Sequence, residues 1–91
     1  MNNVRTAILM AAIRHYGRGN QRFKAMEELA ELIRALARCD DRENISEEMA
    51  DVRIMLDQLE IMFGNRDEVR GWELKKLLRL DQVLHVADTV D

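Results

Sequence analysis

Ninety-one residues pass without a proline, and only four are glycines. Proline is the residue that most reliably breaks a helix, because it lacks an N–H and its ring clashes with the preceding turn. A chain that lacks it, and whose apolar residues recur every three or four positions, is confined to long helices. The punctuation left is glycine and polar clusters, and it divides the chain into four helical segments. The first is expected over Asn3 to Tyr16, with Val4, Ile8, Ala11 and Ala12 at helical spacing, and Gly17-Arg18-Gly19-Asn20 ends it. The second runs from Gln21 to Arg38, with Phe23, Met26, Leu29, Ala30, Ile33 and Ala37 as its apolar face. After the polar loop Cys39-Asp40-Asp41-Arg42-Glu43, Asn44 or Ser46 can cap a third helix over Ile45 to Phe63. Met49, Val52, Leu56, Leu59 and Phe63 give that helix a face, widened by Met55 and Met62. Gly64-Asn65 stops it, and Asp67 caps a fourth helix over Glu68 to Val83, whose apolar content includes Val69, Trp72, Leu77 and Leu80. The tail, 84–91, has no clear period. Short loops between successive helices predict an all-α fold, an antiparallel bundle of four helices in one domain over residues 1–91.

Size and composition narrow the function. A chain this short buries only about 60–68% of its unfolded surface. Cys39 is its one cysteine, so no intrachain disulfide can staple it, and the thiol reads as an ordinary one in a reducing compartment. Small domains without staples gain stability from a metal or from association. With Leu, Ile, Val, Ala and Met dominating the apolar set, a homodimer or homotetramer is expected to complete the bundle. The net charge of −3 supplies no basic surplus for nucleic acid. No apolar run approaches the roughly 20 residues that span a bilayer. The stretch Ala7 to Ile13 runs into Arg14 and His15 without a cleavage site and does not read as a signal peptide, so a cytoplasmic location is expected. There is no phosphate-binding glycine loop, no dinucleotide fingerprint, no nucleophile elbow and no zinc-type cysteine or histidine spacing. The only serine, Ser46, sits where a helix starts.

The acidic residues are arranged more informatively. Glu27, Glu28 and Glu31 lie on the second helix; Glu47, Glu48 and Asp51 lie on the third. Residues three apart share a helical face, so Glu28 projects with Glu31, and Glu48 with Asp51. Sixteen residues, Leu32 to Glu47, separate the pairs, about the length needed to finish a helix, turn and return alongside it. Apolar residues follow each pair, Leu32-Ile33 and then Val52 with Ile54-Met55-Leu56. Four facing carboxylates would repel and raise one another's pKa values, and a divalent cation removes that conflict. Mg²⁺ prefers such hard oxygen ligands and keeps room for water and phosphate oxygens. Physics alone leaves two readings standing, a cation site and a solvated acidic face.

The segments Lys24-Ala25-Met26-Glu27-Glu28-Leu29-Ala30-Glu31-Leu32 and Glu47-Glu48-Met49-Ala50-Asp51-Val52 carry the pattern E-E-x-x-E, a gap, then E-x-x-D. That pattern resembles the signature of MazG-like all-α nucleoside triphosphate pyrophosphohydrolases. Similarity to the short phage and bacterial members extends to Tyr16-Gly17-Arg18-Gly19-Asn20-Gln21, to Ile54-Met55-Leu56-Asp57-Gln58-Leu59 and to Lys76-Leu77-Leu78-Arg79-Leu80, covering residues 16–80. The resemblance implies hydrolysis of a nucleoside or deoxynucleoside triphosphate to monophosphate and pyrophosphate, for nucleotide-pool control or removal of non-canonical nucleotides. It implies Mg²⁺, or Mn²⁺ in its place, held by Glu28, Glu31, Glu48 and Asp51. Glu27 matches the first glutamate of the motif and is the candidate to orient or deprotonate the attacking water. Lys76 and Arg79, three apart on the fourth helix, match a K-x-x-R segment suited to phosphate. Lys24, four residues before Glu28, either contacts phosphate or forms an i,i+4 ion pair. Gln21 and Trp72 are base-binding candidates, beside His15 and Tyr16.

Two rivals belong beside this reading. Phosphoribosyl-ATP pyrophosphohydrolases are similar in size and in glutamate pattern, but this chain lacks their Ser-Tyr-Thr segment and has Asp51-Val52-Arg53-Ile54 where they carry an Asp-Leu-x-Tyr-His-like run. A non-catalytic helical module would bind a partner helix through Met49, Met55 and Met62.

Overall fold

A computed structural model describes residues 3–90. Those residues form four helices and one 3₁₀ turn: α1 (Asn3–Tyr16), α2 (Arg18–Ala37), α3 (Arg42–Phe63), α4 (Arg66–Leu84) and a turn at Ala87–Thr89. The all-α expectation and the number of helices are borne out. Among the described residues there is no strand and no helix long and apolar enough to cross a membrane.

The helix limits shift where local chemistry decides them. Gly17, at φ 91°, redirects the chain in one residue, so α2 begins at Arg18 and absorbs Gly19 and Asn20 into its first turn. The α2 C-terminus closes with Cys39 at φ 56°, the amide of Asp40 donating to the carbonyl of Ala35 at 3.0 Å and that of Cys39 to Leu36 at 3.2 Å. This is the left-handed cap glycine usually makes. Asp41 caps α3, neither Asn44 nor Ser46: its carboxylate accepts the Asn44 amide at 2.9 Å. The Asn44 side chain instead donates to Asp40, and the Ser46 hydroxyl to the Arg42 carbonyl. Gly64, at φ 61°, ends α3. Asp67 lies inside the first turn of α4 rather than capping it.

Three pairings fix how α2 meets α3. The Arg18 guanidinium donates to the Met62 carbonyl at 2.5 Å, the Gln21 side-chain amide donates to the Gln58 carbonyl oxygen at 2.8 Å, and carboxylate oxygens of Glu28 and Asp51 lie within 4.8 Å of each other. As numbers rise along α2 they fall along α3, so the two helices are antiparallel. The α2 side of this seam is Gln21, Ala25, Glu28, Leu32 and Ala35, at heptad-like spacing. Ala25 and Ala35, at 2% and 0% exposure, let the backbones approach. The α3 side is Val52, Met55, Gln58 and Met62, all buried. Helix α1 lies across both through Leu9 and Ile13, and is tied to α3 where Arg5 donates to Asp57 at 2.6 Å and 3.0 Å.

The buried stripes differ from those the periodicity picks out. Phe23, Met26 and Ile33 on α2, Val4 and Ile8 on α1, and Met49, Leu56 and Phe63 on α3 are all exposed. On α2 and α3 the stripe that holds the small residues or the glutamine faces inward. Of the three methionines offered for a partner helix, Met55 and Met62 sit in the core and Met49 is exposed. Helix α4 contributes no buried residue and has no packing comparable to that of the other three.

Candidate metal centre

The seam that buries Gln21 and Ala25 also contains Glu28, because positions 21, 25 and 28 share one face of α2. On α3 the same reasoning brings Glu48 and Asp51 onto the line that continues through Val52 and Met55. Three carboxylates therefore occupy seam positions on facing helices, where apolar side chains would ordinarily pack. One oxygen from each of Glu28, Glu48 and Asp51 lies within 4.8 Å of the others.

This closeness has electrostatic consequences. Asp51 is pushed above the usual carboxylate range by burial, then by the charge of Glu28 and by their hydrogen bond. Glu48 is pushed up by loss of solvent, then by Asp51, Glu31 and Glu28. One oxygen of Glu48, Oε2, is cut off from solvent and has no hydrogen-bond partner. Buried polar atoms are nearly always paired, so an orphan of this kind is a place where an ion or water belongs. Three hard oxygen donors with an unpaired oxygen among them fit a divalent cation of the Mg²⁺ or Mn²⁺ type.

Glu31 stands apart from these three. It lies at the edge of the seam, half-exposed, and its carboxylate pairs with Arg34 one turn on. It still contributes charge, as its effect on Glu48 shows. Lys24 is the cation nearest the cluster. Its ammonium is 3.0 Å from Glu28 and 3.7 Å from Glu27, and the Glu28 hydrogen bond and charge raise its pKa. The i,i+4 ion pair is thus present in the structure. Glu27 is exposed on the far side of Lys24, outside the three-carboxylate group.

The remaining candidates are dispersed. Lys76 and Arg79 are exposed on α4, which does not pack beside the carboxylates. Trp72 is exposed on the same helix, with the Lys75 ammonium 5.0 Å from its ring centre. Gln21 is buried at 6% exposure with its amide committed to Gln58, a position between helices rather than on an open pocket. His15 and Tyr16 stack edge to face at the end of α1. The glutamine pair was not legible as such: Gln58 is a polar residue in an apolar run, and nothing in its spacing names Gln21 as its partner.

Compared with known proteins, the chain matches no family model, no curated protein and no solved structure.

Proposed function

We propose that the chain is a Mg²⁺-dependent nucleotide pyrophosphohydrolase, active as a homo-oligomer in the cytoplasm, that cleaves a nucleoside or deoxynucleoside triphosphate to monophosphate and pyrophosphate. The observation that carries the metal end of this reading is the meeting of Glu28, Glu48 and Asp51 on facing helices with Glu48 Oε2 unpaired. The resemblance of the two glutamate motifs to MazG-like enzymes supports the choice of substrate.

In this reading Glu28, Glu48 and Asp51 hold the cation, with Glu31 at the rim as the fourth carboxylate. The bound cation supplies Lewis acidity toward phosphate oxygens and the attacking water. Glu27, exposed and free of the cluster, orients or deprotonates that water. Lys24 neutralises part of the carboxylate charge through Glu28 and turns to a phosphate oxygen when substrate arrives. Lys76 and Arg79 offer further cationic contacts, and positioning with charge neutralisation does most of the work in phosphoryl chemistry.

The test is a panel of nucleoside and deoxynucleoside triphosphates with Mg²⁺, scored for pyrophosphate and run beside Glu48→Gln and Glu31→Gln. Altering groups that merely support a metal ligand lowers affinity or activity about 10- to 100-fold, so loss of the ligand Glu48 is expected to lower turnover by at least about 100-fold. Glu31→Gln is expected to lower it by less, since its carboxylate already pairs with Arg34. Absence of pyrophosphate from every nucleotide overturns the enzymatic reading. Full turnover in Glu48→Gln overturns the site.

A further inference from the structure

The flank of α2 beside the carboxylate cluster carries two cations with acids between them. At about 100° per residue, Lys24, Glu27, Glu31 and Arg34 fall within about 80° of the helix circumference, next to Glu28. Lys24 has a part in the proposed function and Arg34 has none. The structure pairs the Arg34 guanidinium with the Glu31 carboxylate, both groups about half exposed. Glu31 nevertheless belongs electrically to the cluster. It lies one turn from Glu28, where helical neighbours stand about 5–6 Å apart, and its charge lifts the Glu48 pKa more than that of Glu28 does. Glu48 is also the residue whose Oε2 is cut off from solvent and unpartnered. Glu31 therefore stands between two competing partners. One is Arg34, on its solvent side. The other is a cation held at Glu48.

We propose that Arg34 is a positioning residue for the cation: it holds Glu31 at the rim of the site, and Glu31 exchanges it for the cation on becoming a ligand. The inference rests on the metal part of the proposed function and concerns a hard divalent cation, Mg²⁺ or Mn²⁺. The balance of forces permits the exchange. An exposed i,i+3 ion pair is weak, because water screens it and two long side chains lose freedom to hold it. A doubly charged ion on the solvent-poor side of Glu31 attracts the carboxylate more strongly than one solvated guanidinium does. Glu31 already shares a face of α2 with Glu28, so a change of its side-chain rotamer suffices and no helix has to move. The Arg34 pair must break before Glu31 can ligate, so Arg34 lowers the affinity for the cation. That sign is distinctive. A residue that merely supports a metal ligand has the opposite effect, since its loss weakens binding.

The experiment titrates Mg²⁺, and separately Mn²⁺, into the protein by calorimetry without nucleotide. It is run at about 0.15 M salt, where a fixed charge is felt over only about 8 Å. Wild type, Arg34→Gln, Glu31→Gln and the double variant complete a double-mutant cycle. Arg34→Gln is expected to bind the cation about two- to fivefold more tightly than wild type, the fold-change that corresponds to one exposed ion pair. Glu31→Gln is expected to bind it more weakly, and adding Arg34→Gln to that variant is expected to restore nothing. A second readout follows Arg34 itself. Its side-chain Nε–H resonance, assigned by its loss in Arg34→Gln, is expected to move on saturation with Mg²⁺ in wild type and to stay in place in Glu31→Gln. Weaker or unchanged binding in Arg34→Gln overturns the inference. So does equal tightening with and without Glu31, which would make Arg34 a charge acting through space, and so does an Arg34 resonance that ignores the cation. Those outcomes leave the metal site standing. Failure of wild type to bind either cation overturns the site and this inference together.

Discussion

Glu48 shows how a single side chain sets the behaviour of the site. Its backbone position on α3 belongs to the α2–α3 seam, so its carboxyl loses water, and its neighbours on that seam are two further carboxyls. Both effects favour the protonated form, and both act on Asp51 as well. The sign for stability follows. In the unfolded chain these groups titrate near their ordinary values, 4.5 for Glu48 and 3.8 for Asp51. Between those values and the raised ones of the folded state, the native protein holds more protons than the unfolded chain, so the pair's contribution to stability falls as pH rises through that window. Above it the penalty is fully present, and that is where a divalent cation has most to offset. Mg²⁺ or Mn²⁺ at millimolar concentration is therefore expected to raise the thermal midpoint more at about pH 8 than at about pH 5. In a chelator, Glu48→Gln is expected to be more stable than wild type near neutral pH, and to lose the cation-dependent gain. Scanning calorimetry with and without the cation checks both. An equal gain at the two pH values would count against carboxylate ligation.

At the scale of the element, the α2–α3 seam mixes apolar and polar residues. Its hydrogen-bonded glutamine pair is buried at 6% and 4% exposure. Removing one partner leaves the other's amide unpaired away from water, a loss of about 1–3 kcal/mol. Replacing both by leucine removes the unpaired group along with the bond, and can be nearly neutral. Gln21→Leu and Gln58→Leu are each expected to lower the unfolding free energy by that amount, and the double variant by less than their sum, as read by urea denaturation. Additive losses would show that the amides are not coupled.

The same seam explains what the sequence discloses and what it conceals. The α1 limits, the ends of α3 and α4 near glycine or polar clusters, and the helical class were legible, because prolines are absent and helix-ending glycines are few. The convergence of Glu28, Glu48 and Asp51 was legible too, since i,i+3 spacing and the length of the α2–α3 connection do not depend on fine packing. The inward faces were not. On α2 the stripe through Phe23, Met26 and Ile33 is more apolar than that through Gln21, Ala25 and Ala35, yet the second is buried. Hydrophobic periodicity ranks faces by how much apolar side chain they hold, whereas close helix approach favours small residues that admit the neighbouring backbone. The partial departure of Glu31 has a similar cause. Helical spacing puts it beside Glu28, but it lies at the seam's edge, where Arg34 competes for it.

For the whole molecule, the decisive quantity is how unevenly stability is distributed along the chain. The α2–α3 seam holds Ala25, Ala35, Val52, Met55 and Met62 at 8% exposure or less, and its amides are expected to open only with global unfolding. Helix α4 has no buried side chain to hold it. Isolated helices of under about 12–15 residues are marginal in water, and longer ones are only partly formed, since most helical stability in proteins comes from tertiary packing. Within a single chain, then, α4 amides exchange by local fraying at low free energy. If the proposed homo-oligomer covers α4, they are protected in proportion to the bound fraction, which rises with concentration by mass action. Hydrogen exchange read by mass spectrometry at two protein concentrations about 100-fold apart should show peptides from 66–84 slowing markedly at the higher concentration, while peptides from the centre of α2 and α3 change little. Concentration-independent exchange throughout α4 would mean that the helix is held by nothing outside its own chain. Uniform slowing of all four helices would mean instead that association and folding are one transition, with no stable single-chain core for α4 to project from.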